Sequence, residues 1–194
     1  MSVGTEIVIF GLFPTLISHF RHANILKFKD RDGNPVRGHL FDTVDEMDEH
    51  IIERWNSVVK QGDIVYHLGD VAMLNTLEDE QWFKKNWPRL NGSKRLIVGN
   101  HDDIKFLSSG GFFKKVGMWR MFPEFGLMLS HVPLHPSNLL RLVKKDGVWP
   151  DDCESLLNVH GHIHQNDSPE GPYRNVSVEV IDYTPVNIEE LRVK

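Results

Sequence analysis

The chain has 194 residues, a formal net charge of -5, and 40% hydrophobic and 25% charged residues, the composition of an ordinary globular domain and not of a disordered or fibrous chain. No apolar run reaches the length of a membrane span, and no dense Lys/Arg tract offers the broad footprint that duplex nucleic acid requires. The single cysteine, Cys153, excludes an internal disulfide and a cysteine-based zinc site, so any metal must be held by nitrogen and oxygen.

In chain order, Val3 to Phe13 is apolar and β-branched and reads as a buried strand ended by Pro14. A polar loop with Gly33, Pro35 and Gly38 follows. Thr43 and Glu46 form a capping box, and Met47, Ile51, Trp55 and Val58 recur on one face, predicting a helix to about Lys60. Ile64 to Leu68 reads as a second buried strand, Glu78 to Trp87 as a helix stopped by Pro88, and Lys94 to Val98 as a third strand. Val116 to Phe122 and Phe125 to Ser130 read as two strands joined across Pro123, and Leu156 to Val159 and Arg174 to Ile181 complete the set. Strands alternate with helices early and crowd together late. The expected class is α/β, with two packed mixed sheets flanked by helices and polar runs gathered at the carboxyl ends of strands. With no repeat or linker, residues 1–194 are expected to form one domain. Glu6 stands where a signal peptide carries positive charge, so a cytoplasmic location is expected.

Four polar runs follow apolar ones: Leu68-Gly69-Asp70, Gly99-Asn100-His101-Asp102, Ser130-His131-Val132-Pro133 and Gly161-His162-Ile163-His164. Of the eleven histidines, His67, His101, His131, His135, His160, His162 and His164 lie in or beside them, which scattered surface histidines do not do. The Asp70 carboxylate can bridge two cations with one oxygen each, whereas an isolated Gly-Asp pair is merely a turn. Asn100 offers an amide oxygen, His101 a proton donor, and Asp102 a carboxylate able to raise the basicity of His101. The alternative for this run is a capped loop in which Asn100 and Asp102 satisfy backbone donors. His162 and His164, at alternating spacing, can address two different ions. Together the runs supply what a two-metal hydrolytic site needs, in a nitrogen and oxygen mixture that suits Mn²⁺, Fe or Zn²⁺.

This order of motifs resembles the calcineurin-like metallophosphoesterases, in a small bacterial or phage-borne branch, from about His19 to about Glu189. The resemblance implies a four-layer αββα sandwich and a metal-dependent phosphoesterase acting on a small phosphate mono- or diester. It implies two divalent ions (Mn, Fe or Zn), one held by Asp70, Asn100, His131 and His162, the other by His19, Asp70 and His164. A hydroxide bridging the ions would attack phosphorus in line while His101 protonates the departing oxygen. Arg21 and His22, just beyond His19, would face the substrate phosphate, with a solvated loop as the alternative. A membrane or a nucleic acid is not among the expected partners, and oligomeric state is open.

One part departs from the family pattern. The first motif of the family is Asp-X-His, and this chain has Ile17-Ser18-His19. An isoleucine cannot ligate, so the second ion keeps His19, Asp70 and His164, of which only Asp70 is anionic. Two neighbouring divalent ions need negative charge to offset their repulsion, so this position should be weak or empty and activity reduced. The alternative is a single-metal or inactive member acting as a binding or regulatory module. One back-translation of Phe10 to Ser18, TTT GGT TTA TTT CCG ACA CTC ATT TCC, spells Trp-Phe-Ile-Ser-Asp-Thr-His-Phe when read from the last base of the Phe10 codon, which is the family's usual first-motif wording. Continued as CAT TTC CGT it holds CATTTCC twice in tandem, a duplication that would shift the frame at this point.

Overall fold

The computed structural model describes residues 11–15, 18–139 and 155–192. Most of the expected Val3–Phe13 strand, Ile17 and Cys153 lie outside the described residues. Strands β1 (Leu12–Thr15), β2 (Ile64–His67), β3 (Ser93–Ile97) and β4 (Lys115–Gly117) form one sheet in that order, parallel throughout. Strands β5 (Trp119–Phe122), β6 (Leu127–Ser130), β7 (Leu157–His160) and β8 (Tyr173–Asn175) form the second, in which only β5 and β6 run antiparallel. Two four-stranded sheets flanked by helices bear out the expected class, with one difference: the first sheet is parallel and only the second is mixed.

Strand alternation explains the layering. Val65 and Leu96 lie in one apolar cluster with Met47, Ile51 and Trp55 of helix α1 (Val44–Val58) and Phe83 of helix α2 (Leu77–Asn86). Their neighbours Tyr66, Leu68 and Ile97 lie in another, with Leu127, Leu129 and Val159 of the second sheet. Met128, between Leu127 and Leu129, joins Leu139 and Leu156 in a third. Among the described residues no helix is long and apolar enough to cross a membrane.

Local chemistry sets most boundaries. The Thr43–Glu46 capping box forms as expected, with Thr43 Oγ1 accepting from the Glu46 amide and Glu46 Oε2 from the Thr43 amide, each at 3.2 Å. Helix α2 starts earlier than expected because Thr76 and Asp79 make a second box, and Pro88 ends it in a 3-10 turn, Trp87–Arg89. The expected Val116–Phe122 strand divides at Met118, 66% exposed, where the chain leaves one sheet for the other. The last expected strand stops at Asn175, whose side-chain oxygen accepts the Ser177 amide at 2.9 Å. Helices α3 (Ile104–Ser109) and α4 (Ile188–Leu191) have too few apolar repeats to show in the pattern.

Helix α1 also carries a buried carboxyl. Asp48 is wholly enclosed, and among the described residues its two oxygens accept from the Arg21 amide at 3.3 Å and the Arg21 guanidinium at 3.5 Å. Burial pushes its pKa from 3.8 up to about 7, against the pull of Arg21. A carboxyl raised in the folded state holds its proton there longer than in the unfolded chain. Its stabilisation is therefore full below pH 3.8 and lost as pH rises through about 7. The loss is of order 4 kcal/mol at most. Asp48→Asn keeps the acceptor and removes the charge. Thermal denaturation is expected to show the variant several degrees more stable than wild type at pH 8 and nearly equal at pH 4; equal Tm at both refutes this.

Candidate metal centre

The expected ligands stand just past strand ends: His19 after β1, Asp70 after β2, Asn100 after β3, His131 after β6, and His162 and His164 after β7. This is the edge at which α/β sheets build their sites. Two glycines let the loops meet. A Cβ at Gly69, where φ is +90°, would lie 2.6 Å from Gly99 Cα and 2.7 Å from His131 Nδ1, and one at Gly99 would overlap the Asp70 carboxylate. Only hydrogen fits at either position.

Asp102 clamps the same two loops. Its oxygens accept the amides of Gly99 at 2.8 Å, Val71 at 2.8 Å and Asp70 at 3.2 Å. The structure thus gives Asp102 a role different from the one expected: the carboxylate is engaged by backbone donors and makes no hydrogen bond to His101, so it acts on loop geometry. The capped-loop alternative describes Asp102 correctly. Of the seven non-glycine residues with left-handed backbone among the described residues, four are expected ligands: His19 (φ 53°), Asp70 (48°), His162 (65°) and His164 (52°). Such conformations cost on the order of 1 kcal/mol or more each, and they cluster where function demands them.

One group of ligands converges tightly. His131 Nε2 lies 2.9 Å from Asn100 Oδ1, 3.1 Å from His162 Nδ1 and 3.3 Å from Asp70 Oδ2. His131 Nδ1 donates to the Leu68 carbonyl at 2.7 Å, which leaves Nε2 as a lone pair when the ring is neutral. Four electron-rich atoms then face one another, an arrangement that calls for a positive charge at their centre. Burial works against a proton on His131, yet the Asp70 carboxylate outweighs it and raises the pKa. A divalent cation meets the same demand from all four atoms at once, and ligand atoms of Asp70, His131 and His162 lie within 4.8 Å of one another.

The second group is looser. His19 Nε2 lies 3.8 Å from Asp70 Oδ2, and its ring stacks on His164 at 5.1 Å between centroids. Among the described residues neither buried ring nitrogen of His19 has a hydrogen-bond partner, an arrangement that a metal bond would relieve. Burial, with Arg37 and His164 adding to it, holds the His19 pKa far below its usual range, so the ring is neutral and able to ligate.

Behind this group stands a pair that sequence reading missed. Glu179 Oε1 accepts from His164 Nδ1 at 2.9 Å and from Arg37 Nε at 2.8 Å. Arg37, wholly buried, also donates to the Ser18 carbonyl beside His19 at 3.1 Å. A carboxylate on one ring nitrogen of a metal-binding histidine fixes its tautomer and frees the other nitrogen for the ion. Burial pushes the Glu179 carboxyl up, but Arg37 and His164 outweigh it and hold it at about 2. Arg37 and Glu179 are 142 positions apart, in a loop and just past β8, and nothing in the sequence around either one marks the pair. His67 plays a similar part, with Nε2 on the Ser18 hydroxyl at 2.9 Å.

The remaining expected residues divide. His101 is exposed beside the cluster, its ring 6.2 Å from that of His19. The His22 ring is 5.5 Å from His19 and edge-on to Phe28. Arg21 is directed elsewhere: 15% exposed, it pairs with Asp45 at 2.5 Å, Asp48 at 3.5 Å and Asp79 at 3.6 Å and lies over Trp82. Its charge is thereby committed to acidic partners rather than turned to the cluster. His160 and His135 are structural, bonded to Ser168 and Ser137.

Comparison with known proteins places the chain among relatives. A protein of Methanocaldococcus jannaschii, described as uncharacterized, is 32% identical over 179 residues, spanning 89% of this chain and 84% of that one. The gene 66 protein of Mycobacterium phage L5 is 25% identical over 75% of this chain and 73% of its own length. The crystal structure of AQ665, a protein of unknown function from Aquifex aeolicus, superposes with a TM-score of 0.64 at 24% identity, covering 94% of this chain and 98% of that one, and shows the same fold. The calcineurin-like phosphoesterase family matches residues 20–192, beginning one residue past His19. The chain belongs to the calcineurin-like phosphoesterases.

Proposed function

We propose that the chain is a metal-dependent phosphoesterase that hydrolyses a small phosphate mono- or diester, with one complete metal position and one weakened one. The observation that carries this is the convergence of Asp70, Asn100, His131 and His162 on a single point. A divalent ion held by these four residues would supply an activated water and neutralise charge on the phosphoryl oxygens. The chain's own residues do the rest. Asp102 and the paired glycines hold the Asp70 and Asn100 loops together, while Glu179 orients His164. His101, outside the ligand set and open to solvent beside the cluster, would protonate the leaving oxygen.

A second reading, a family member that binds phosphoesters without turning them over, is favoured by Ile17 in place of the first carboxylate. Hydrolysis of bis(4-nitrophenyl) phosphate and 4-nitrophenyl phosphate with added Mn²⁺ separates the two. Turnover is expected, with loss of about 10²-fold or more in His101→Ala. No turnover with Mn²⁺, Fe²⁺ or Zn²⁺ supports the second reading.

A further inference from the structure

A cavity of about 430 Å³ opens directly beside His164, between two rigid walls. One is a hairpin. Val36 N donates to Phe28 O and Asp30 N to Asn34 O, each at 2.9 Å, and Asp30 Oδ1 takes the amides of Asp32 and Asn34. The buried Arg37–Glu179 pair roots this hairpin at the site. The other wall is Gln165–Asn166, held where Asn175 Nδ2 donates to the carbonyls of His164 at 2.6 Å and Asn166 at 3.2 Å. The volume is that of a small-molecule pocket.

The lining is chemically mixed. Phe28 is 45% exposed, with one edge against His22, so it offers an apolar surface to a flat ring. Lys27 and Lys29 flank it, and among the described residues neither is paired with a carboxylate. Lys27 reaches only Asn24 Oδ1, at 3.4 Å. The adjoining cavity, beyond Gln165 and Asn166, is lined by the carboxylates of Asp30, Asp32 and Asp167 and by one cation, Arg31. Three carboxylates against one arginine leave that side net negative, whereas the lysine side has no carboxylate in its lining, so a ligand's negative charge is favoured on the lysine side.

We propose that this cavity binds the alcohol portion of the substrate, and that this portion is a nucleoside carrying a further phosphate: base on Phe28, second phosphate on Lys27 and Lys29, scissile phosphate beyond His164. The proposal rests on the phosphoesterase reading and names its substrate class. Its test is a binding measurement. Full-length Mn²⁺-treated protein is titrated calorimetrically with adenosine 3′,5′-bisphosphate, inorganic phosphate and adenosine. The bisphosphate is expected to bind at least about tenfold tighter than inorganic phosphate, the size of one charged contact. Lys27→Gln with Lys29→Gln should bring that ratio close to one, and Phe28→Ala should weaken the bisphosphate and leave inorganic phosphate as it was. Melting temperatures of the variants check that these exposed substitutions do not unfold the chain. A ratio near one in wild type, or one that survives in both variants, overturns the proposal. Absence of turnover with the ratio intact counts against the phosphoesterase reading alone.

Discussion

Asp70→Asn is expected to abolish metal-dependent hydrolysis and the gain in melting temperature that Mn²⁺ confers on the wild type. Asp70 reaches both clusters, with Oδ2 3.3 Å from His131 Nε2 and 3.8 Å from His19 Nε2. It is also the anion common to both expected ligand sets. Burial alone would raise its pKa, but His131, the His101 amide and His19 outweigh that and drive it well below the ordinary carboxylate range, so it is ionised at every working pH. Asparagine preserves the shape and the acceptor for the His101 amide, which the carboxylate receives at 2.8 Å. What it removes is the negative charge that offsets bound cations. A loss in kcat/KM of about 10³-fold corresponds to roughly 4 kcal/mol of transition-state stabilisation. A ligand at about 100 times its Kd stabilises the native state by about 2.7 kcal/mol. Wild type should therefore melt several degrees higher in Mn²⁺ than in EDTA, and Asp70→Asn should melt alike in both. A variant that keeps the shift removes Asp70 from the ligand set.

Ile17→Asp is expected to act in the opposite direction. The family's first motif places a carboxylate two residues before the histidine, and His19 is the ring whose two nitrogens lack partners among the described residues. A second anion restored at this position offsets the repulsion between neighbouring ions. Affinity for the second Mn²⁺ should rise at least about tenfold, since even the outer partners of metal ligands are worth about 10–100-fold. Calorimetric titration should resolve a second equivalent of Mn²⁺ in the variant, with a parallel rise in turnover of bis(4-nitrophenyl) phosphate. No gain in either places the alignment of Ile17 with the motif in error. The gene itself decides the origin of the substitution: codons for residues 10–18 that do not spell Asp-Thr-His in the shifted frame dismiss the duplication.

The degree to which the molecule was legible in its sequence follows the range of each interaction. The Thr43–Glu46 box and the apolar face of α1 act within a few residues, and both formed as read. The runs around Asp70, Asn100, His131 and His162 were legible because each couples a strand end to a ligand type within four residues. The break at Met118 was not, because Val116 and Trp119 are equally apolar and only pairing with different partner strands divides them.

Asp102 marks the boundary between the two kinds of knowledge. Its place beside His101 proposed one partner, while three backbone amides brought within 3.2 Å by the meeting of two loops imposed another. Arg21 behaves likewise, since acidic residues of two helices, α1 and α2, claim its guanidinium. Sequence alone determined the family and the layered α/β plan, because these rest on local periodicity and on chemistry that each side chain carries with it. Tertiary structure alone decided which atoms face one another, that Glu179 and Arg37 stand behind His164, and that a cavity opens at the hairpin. Those outcomes depend on contacts between residues as many as 142 positions apart, whose pairing is set by how the sheets pack and by the shortage of partners for buried charge.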